Sequence, residues 1–212
     1  MLTTLSSLGL SCQTTHQLAR HALETDLQFS KGPFDWLICP PQSLARWLDA
    51  GLPDFERGDI TERRGHAYWA QFGFWFWHGF FTGPAGERVL DIEATFERER
   101  EKLAYQRGVF SRLDPSSTLF VLSNSQNNLS GDVFTPDETN RYHLTSPLQH
   151  QVTGSLCRFF GADINLAWIT RADRCTESVA RAPNTILIGP EGSQWKGCDE
   201  DWRAALTALL VA

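Results

Sequence analysis

The sequence has 212 residues, 42% hydrophobic and 21% charged, with a formal net charge of -6; this is the composition of one globular domain with a full core, not of a disordered or fibrous chain. The negative balance, with basic and acidic residues interspersed as in Glu97-Arg98-Glu99-Arg100-Glu101-Lys102, argues against a nucleic-acid partner. No apolar run reaches the about 18 to 20 residues that span a bilayer, and the N-terminus lacks the basic start and apolar stretch of a signal peptide, so a cytoplasmic protein with no membrane partner is expected.

In chain order, residues 3–8 read as a strand. The turn Gly9-Leu10-Ser11 leads into a helix over 12–23, with Ser11 as N-cap and Cys12 as its first residue. Pro33-Phe34-Asp35-Trp36 reads as a loop, followed by a helix from Gln42 to about Ala50 that Gly51 and Pro53 close. Residues 68–81 are aromatic, interrupted by Gly73 and Gly79, and read as extended; the block Phe72 to Phe81 is expected to be core. Phe96, Leu103, Phe110 and Leu113 recur at helical spacing over about 93–113, where Asp114-Pro115 stops the helix.

Residues 118–122 form a buried strand, and Ser146-Pro147 opens a helix that Gly161 ends. Strands over 164–170 and 185–188 follow, and Asp199 caps a last helix whose apolar face is Trp202, Leu206, Leu209 and Leu210. Strands alternating with helices predict a single α/β domain over 1–212. Its sheet should be mainly parallel and flanked by helices, doubly wound in the Rossmann-like or flavodoxin-like manner, with a papain-like α+β fold as the alternative. In such sheets ligands bind beyond the carboxyl ends of the strands. The polar stretches 7–12, 123–128, 170–173 and 189–193 fall on that edge.

Five cysteines with no C-x-x-C pair suggest neither a disulfide framework nor a zinc site. Without a P-loop or a Gly-x-Ser-x-Gly motif there is no signal for a nucleotide cradle or a serine-hydrolase elbow, and no cofactor or metal is expected. Cys12 stands apart from Cys39, Cys157, Cys175 and Cys198. A thiol at a helix N-terminus meets the positive end of the helix dipole and unpaired backbone N–H groups, which favour the nucleophilic thiolate. The N–H of Gln13 could then stabilise an oxyanion. The bland reading is a small buried apolar residue.

A thiolate nucleophile needs an imidazole. His16 lies one helical turn beyond Cys12, and His21, His66, His143 and His150 lie in polar settings expected at the surface. His78, between Trp77 and Gly79, sits where apolar neighbours shift its pKa. Asp35, or else Asn124 or Asn127, could orient it.

The order Ser7-Leu8-Gly9, Cys12, Pro33-Phe34-Asp35-Trp36 and His78-Gly79-Phe80 resembles the bacterial and plant domain family DUF1796, described as papain-like cysteine peptidases, over roughly the first 125 residues. The resemblance implies Cys12 as nucleophile, His78 as base and Asp35 as the characteristic acidic position. Family members carry His-Asp-Phe where this chain has His78-Gly79-Phe80. The order of strands and helices itself fits a doubly wound sheet better than a papain-like fold.

Two readings follow. One is a cysteine-dependent hydrolase or acyltransferase acting on a small-molecule or peptide substrate through Cys12, His78 and Asp35, with Ser7, Gly9, Gln13, Ser123 and Asn124 around the substrate. The other is a non-catalytic domain that binds a nucleotide, sugar or peptide at the same sheet edge through Ser7, Gly9, Ser123, Asn124 and Glu191, with Cys12 only lining the site. A Ser7- or Ser11-based esterase ranks third.

Overall fold

The computed structural model describes residues 1–84, 87–126, 141–189 and 195–211. The first strand, β1 (Thr4–Ser7), runs parallel to β2 (Gln28–Ser30) on one side and to β9 (Thr118–Ser123) on the other; β10 (Asn165–Thr170) pairs parallel with β9, and β11 (Thr185–Leu187) with β10. Numbered by their order along the chain, these five parallel strands lie 2-1-3-4-5. That is the flavodoxin-like doubly wound order, with its switch point between β1 and β9. The expected α/β class holds, and the papain-like alternative does not describe this sheet.

Side chains of period two feed both faces. Leu119 and Val121 of β9 and Ala167 and Ile169 of β10 pack with Leu18 of α1 (Cys12–Leu23) and with Trp202 and Leu206 of the last helix, residues 199–211. The alternate residues Phe120, Leu122, Leu166 and Trp168 face a second core. There they meet Phe96, Leu103 and Phe110 of α3 (Ile92–Phe110) and Leu148, Val152 and Leu156 of α4 (Ser146–Phe160).

The ends of these helices follow from their sequence. Asp91 Oδ1 accepts from the Ala94 N–H at 2.9 Å to cap α3, and Gly161 takes a left-handed φ of 65° to close α4. The capping expected of Ser11 is corrected. Ser11 holds the extended N-cap conformation, yet its side chain makes no capping hydrogen bond and its hydroxyl is buried without a partner among the described residues.

Between β2 and α3 the chain makes an excursion. It contains α2 (Pro41–Asp49), an antiparallel sheet in the order β3 (Leu37–Ile38), β6 (Phe74–Phe76), β5 (His66–Trp69), β4 (Ile60–Arg63), and the hairpin β7 (Phe81–Thr82) with β8 (Val89–Leu90). The aromatic block supplies its core: Trp69, Phe74 and Phe80 are fully buried with Phe55. Edge-to-face contacts such as Phe55–Trp69 at 5.7 Å join these rings. The same hydrophobic cluster continues into Phe110 and Phe120 through Phe34, whose ring is 5.3 Å from that of Phe110. One core therefore ties both sheets together. A short 3-10 turn (Ala172–Arg174) and helix α5 (Glu177–Ala180) link β10 to β11, and the last helix, α6 (Asp199–Val211), begins at Asp199 itself. No described helix is long and apolar enough to cross a membrane.

Candidate functional site

The turn after β1 is sterically committed. Gly9 has φ 73°, and a Cβ there would lie 2.9 Å from the Phe34 carbonyl oxygen, so only glycine fits beneath the 33–37 loop. Leu10 follows with φ 67°, a conformation that is costly for a residue with a branched side chain. Cys12 is the first residue of α1, as expected, and is 2% exposed. Burial pushes its thiol up to about 12, opposed by a backbone hydrogen bond at Cys12. Desolvation of the thiolate thus opposes the activation expected from the helix N-terminus. Cys12 Sγ makes no hydrogen bond to an imidazole among the described residues.

The switch-point crevice beside Cys12 is occupied by its own side chains. The Gln13 N–H, the expected oxyanion donor, instead donates to Gln126 Oε1 at 2.9 Å. Gln13 Oε1 accepts from Ser125 Oγ at 2.5 Å, and Ser125 Oγ lies 2.8 Å from Ser123 Oγ. Asn124 spends its amide on the carbonyls of Tyr142 and Arg174 at 2.7 and 3.0 Å, and its Oδ1 accepts from Thr170 Oγ1 at 2.6 Å. Asn124 thus braces the loop after β9 and does not orient His78. Asn127 and Glu191 lie outside the described residues. Gln13 Nε2 and Gln17 Nε2 also hold the carbonyls of Trp195 and Lys196 at 2.9 and 2.7 Å.

Asp35 is 6% exposed. Its Oδ2 accepts from the Gly32 N–H at 2.9 Å and its Oδ1 lies 3.0 Å from Thr15 Oγ1. Thr15 Oγ1 is also 3.1 Å from Ser7 Oγ, which accepts from the Gly9 N–H at 3.1 Å. A hydroxyl has one proton, so when Asp35 is a carboxylate the chain runs one way: Gly9 N–H to Ser7, Ser7 O–H to Thr15, Thr15 O–H to Asp35. Burial raises the Asp35 carboxyl to about 7, against the pull of the Gly32 N–H, the Thr15 hydroxyl, Lys31 and Lys102. Ser7, expected near a substrate, and Thr15, which sequence reading missed, act here on Asp35.

His78 is exposed, with its ring edge-on to Trp36 at a centroid distance of 5.5 Å. The atoms packed around it lower its pKa through desolvation, with Arg88, His66 and Lys102 adding repulsion. His78 and Asp35 line one pocket of about 290 Å³ with Trp36, Phe76, Lys102 and Gln106; Cys12 does not line it. Its walls are the 33–37 loop after β2, the 76–79 segment and α3. Pocket and crevice therefore share the carboxyl edge of the sheet. Two other histidines depart from expectation. His21 is buried, and His66 stacks on Trp77 at 3.7 Å.

Glu99 also lines this pocket and holds Arg98 Nη2 and Lys102 Nζ at 2.8 and 3.2 Å. Gly79 admits it: a Cβ there would lie 3.3 Å from Glu99 Oε2. An aspartate at position 79, which the resemblance leads one to expect, would set a like charge against Glu99. The pocket residues of α3 were legible as positions though not as a site. Glu99 and Gln106 interrupt the apolar stripe Phe96, Leu103, Phe110 at helical spacing.

Five non-glycine residues among those described have positive φ. Leu52 follows α2 and Arg64 forms a hairpin turn, but Leu10, Trp36 and Phe80 each lie within two residues of Cys12, Asp35 or His78. Non-glycine strain collects where side chains must be aimed. Among the described residues no group of three or more His, Cys, Asp or Glu side chains could hold a metal ion.

The fold and site define a doubly wound α/β domain with a polar pocket at the carboxyl end of its second strand. In comparison with known proteins, no family model, no curated protein and no solved structure matches the chain.

Proposed function

We propose that this domain binds a small polar ligand in the pocket between Trp36 and α3. The observation that carries this reading is that Asp35 and His78 meet in one cavity of about 290 Å³ while Cys12 stays outside it. That volume suits about one substituted ring, near the lower end of the range for small-molecule sites. Trp36, Phe76 and Leu103 offer apolar walls, and the polar groups converge from three segments, the arrangement that fixes a ligand's orientation. Burial raises the Asp35 carboxyl to about 7, where it can hold or release a proton at a bound ligand, and desolvation lowers His78, which favours its neutral imidazole.

The test is a thermal-shift screen of the full chain with nucleotides, monosaccharides and dipeptides, repeated on Gln106→Trp, which fills the pocket from a half-buried position of α3. Compounds that raise Tm in the wild type and not in the variant support the reading. If none does so, the pocket is not a binding site.

A second reading, a thiol hydrolase or acyltransferase, draws support from Cys12 at the start of α1 after the strained Leu10 and from the resemblance in Cys12, Asp35 and His78. It requires that the burial of the thiol be relieved by substrate. Iodoacetamide labelling against pH, read by peptide mass spectrometry, separates the two. Slow labelling of Cys12, unaffected by His78→Ala, favours binding without thiol chemistry. Fast labelling with an apparent pKa well below about 8.5, lost in His78→Ala, favours the hydrolase.

A further inference from the structure

We infer that the pocket recognises an oxyanion, a carboxylate or phosphate carried on an aromatic body, with the Arg88 guanidinium as its principal partner. The inference rests on the binding reading above and names the ligand class. It follows from asking which polar groups around the cavity still have capacity to bond.

Every carboxylate oxygen in the pocket wall already accepts from at least one donor. Both oxygens of Asp35 are engaged, by Thr15 Oγ1 at 3.0 Å and the Gly32 N–H at 2.9 Å. Both oxygens of Glu99 are engaged by Arg98 and Lys102 at 2.8 and 3.2 Å. The donors are less fully engaged. Arg88, a pocket-lining residue, forms no hydrogen bond or ion pair among the described residues, nor do the side chain of Gln106 and the ring of His78. Lys102 Nζ makes one hydrogen bond, to Glu99, and an ammonium carries three donors. An arriving ligand therefore meets unused N–H groups, which acceptors on that ligand would satisfy.

Charge points the same way. The chain as a whole carries -6, yet Glu99 is matched by Arg98 and Lys102 together, and Arg88 forms no ion pair with Glu99 or Asp35 among the described residues. Lys31 adds a further positive charge near Asp35. A fixed guanidinium fork matches a carboxylate or phosphate through two parallel hydrogen bonds, the strongest arrangement open to a surface cation. The rest of the cavity selects the body. Trp36, Leu37, Phe76 and Leu103 present ring and aliphatic surface that an inorganic anion alone leaves uncovered.

The probes are benzoate, phenyl phosphate, neutral benzamide and inorganic phosphate, titrated into the full chain while the quenching of exposed tryptophan emission is followed. Benzoate or phenyl phosphate should bind at least about tenfold more tightly than benzamide and inorganic phosphate. Arg88→Gln should remove about tenfold of that preference, in line with a lost charge-assisted hydrogen bond, and leave benzamide unchanged. Which of the two acids binds better identifies the oxyanion. If benzamide binds as well as the acids, or Arg88→Gln leaves their affinity intact, the inference is wrong while the pocket reading stands. If none of the four perturbs the emission or competes with a compound whose binding Gln106→Trp abolishes, the inference is wrong; the pocket reading falls only if no compound of the screen shows Gln106→Trp-sensitive binding. Retention of Tm by Arg88→Gln, an exposed residue, keeps a folding defect from mimicking the result.

Discussion

The backbone N–H of Gln13 donates to the side chain of Gln126 across 113 residues of sequence, at 2.9 Å, and so one end of α1 is capped by the loop that leaves β9. Ser11, one residue before the helix, does not perform this task. Gln126→Ala should therefore cost about 1 to 2 kcal/mol, the range for a lost helix cap or an unsatisfied buried N–H. Urea denaturation of the variant measures this; an unchanged midpoint would mean that water replaces the cap without loss.

The titration of Asp35 sets a pH dependence of stability. An unfolded aspartate has its pKa near 3.8 and the folded one is raised to about 7, so between those values the folded protein binds the extra proton. Stability should fall as pH rises from about 4 to 7 and flatten above, by an amount on the order of 2 to 4 kcal/mol. Asp35→Asn should flatten this profile and be the more stable protein at pH 8. A profile that rises across the window in the wild type contradicts the assignment.

Thr15 supplies a contrasting case, since its hydroxyl serves the ionised form of Asp35. Thr15→Val should raise the Asp35 pKa further and destabilise the protein by about 1.5 to 3 kcal/mol at pH 8, with a smaller loss at pH 5. Thr15→Ser keeps the donor and should restore most of the difference. Carboxyl carbon NMR of Asp35 in the three proteins reads the pKa directly.

The five parallel strands divide by how much local signal they carry. Residues of β9 and β10 form continuous apolar runs bounded by caps and turns, and their boundaries were readable to within a residue. Strand β2, Gln28–Ser30, has three half-buried or exposed residues and no apolar run; it exists because β1 offers it an unpaired edge. The same divide runs through the site. Cys12 was placed correctly at a helix start, but the tertiary burial that raises its thiol is not contained in the dipole argument. Asp35 and His78 share a pocket because α3 closes over both, and the charges of α3 read in sequence as a solvated face.

The Gly9 turn gives a backbone test. Gly9→Ala should destabilise by several kcal/mol, because it sets a Cβ 2.9 Å from the Phe34 carbonyl oxygen and adds a left-handed φ for alanine. Arg64→Gly, at an exposed hairpin turn with φ 56°, should instead be neutral or gain up to about 1 kcal/mol. Thermal denaturation of the pair separates steric commitment at the site from turn preference elsewhere. Equal behaviour of the two would refute that distinction.

The distribution of the eight tryptophans has an optical consequence. Trp47, Trp69, Trp75, Trp168 and Trp202 are sealed in the interior, whereas Trp195 is 37% exposed and stands 6.3 Å from Trp36 at the rim of the pocket. Five indoles are thus shielded from aqueous quenchers, while Trp36 in the pocket wall, half-buried Trp77 and Trp195 remain within their reach. An occupant that shields Trp36 would shrink the quenchable component and leave the sealed set unchanged, making the unlabelled protein its own sensor.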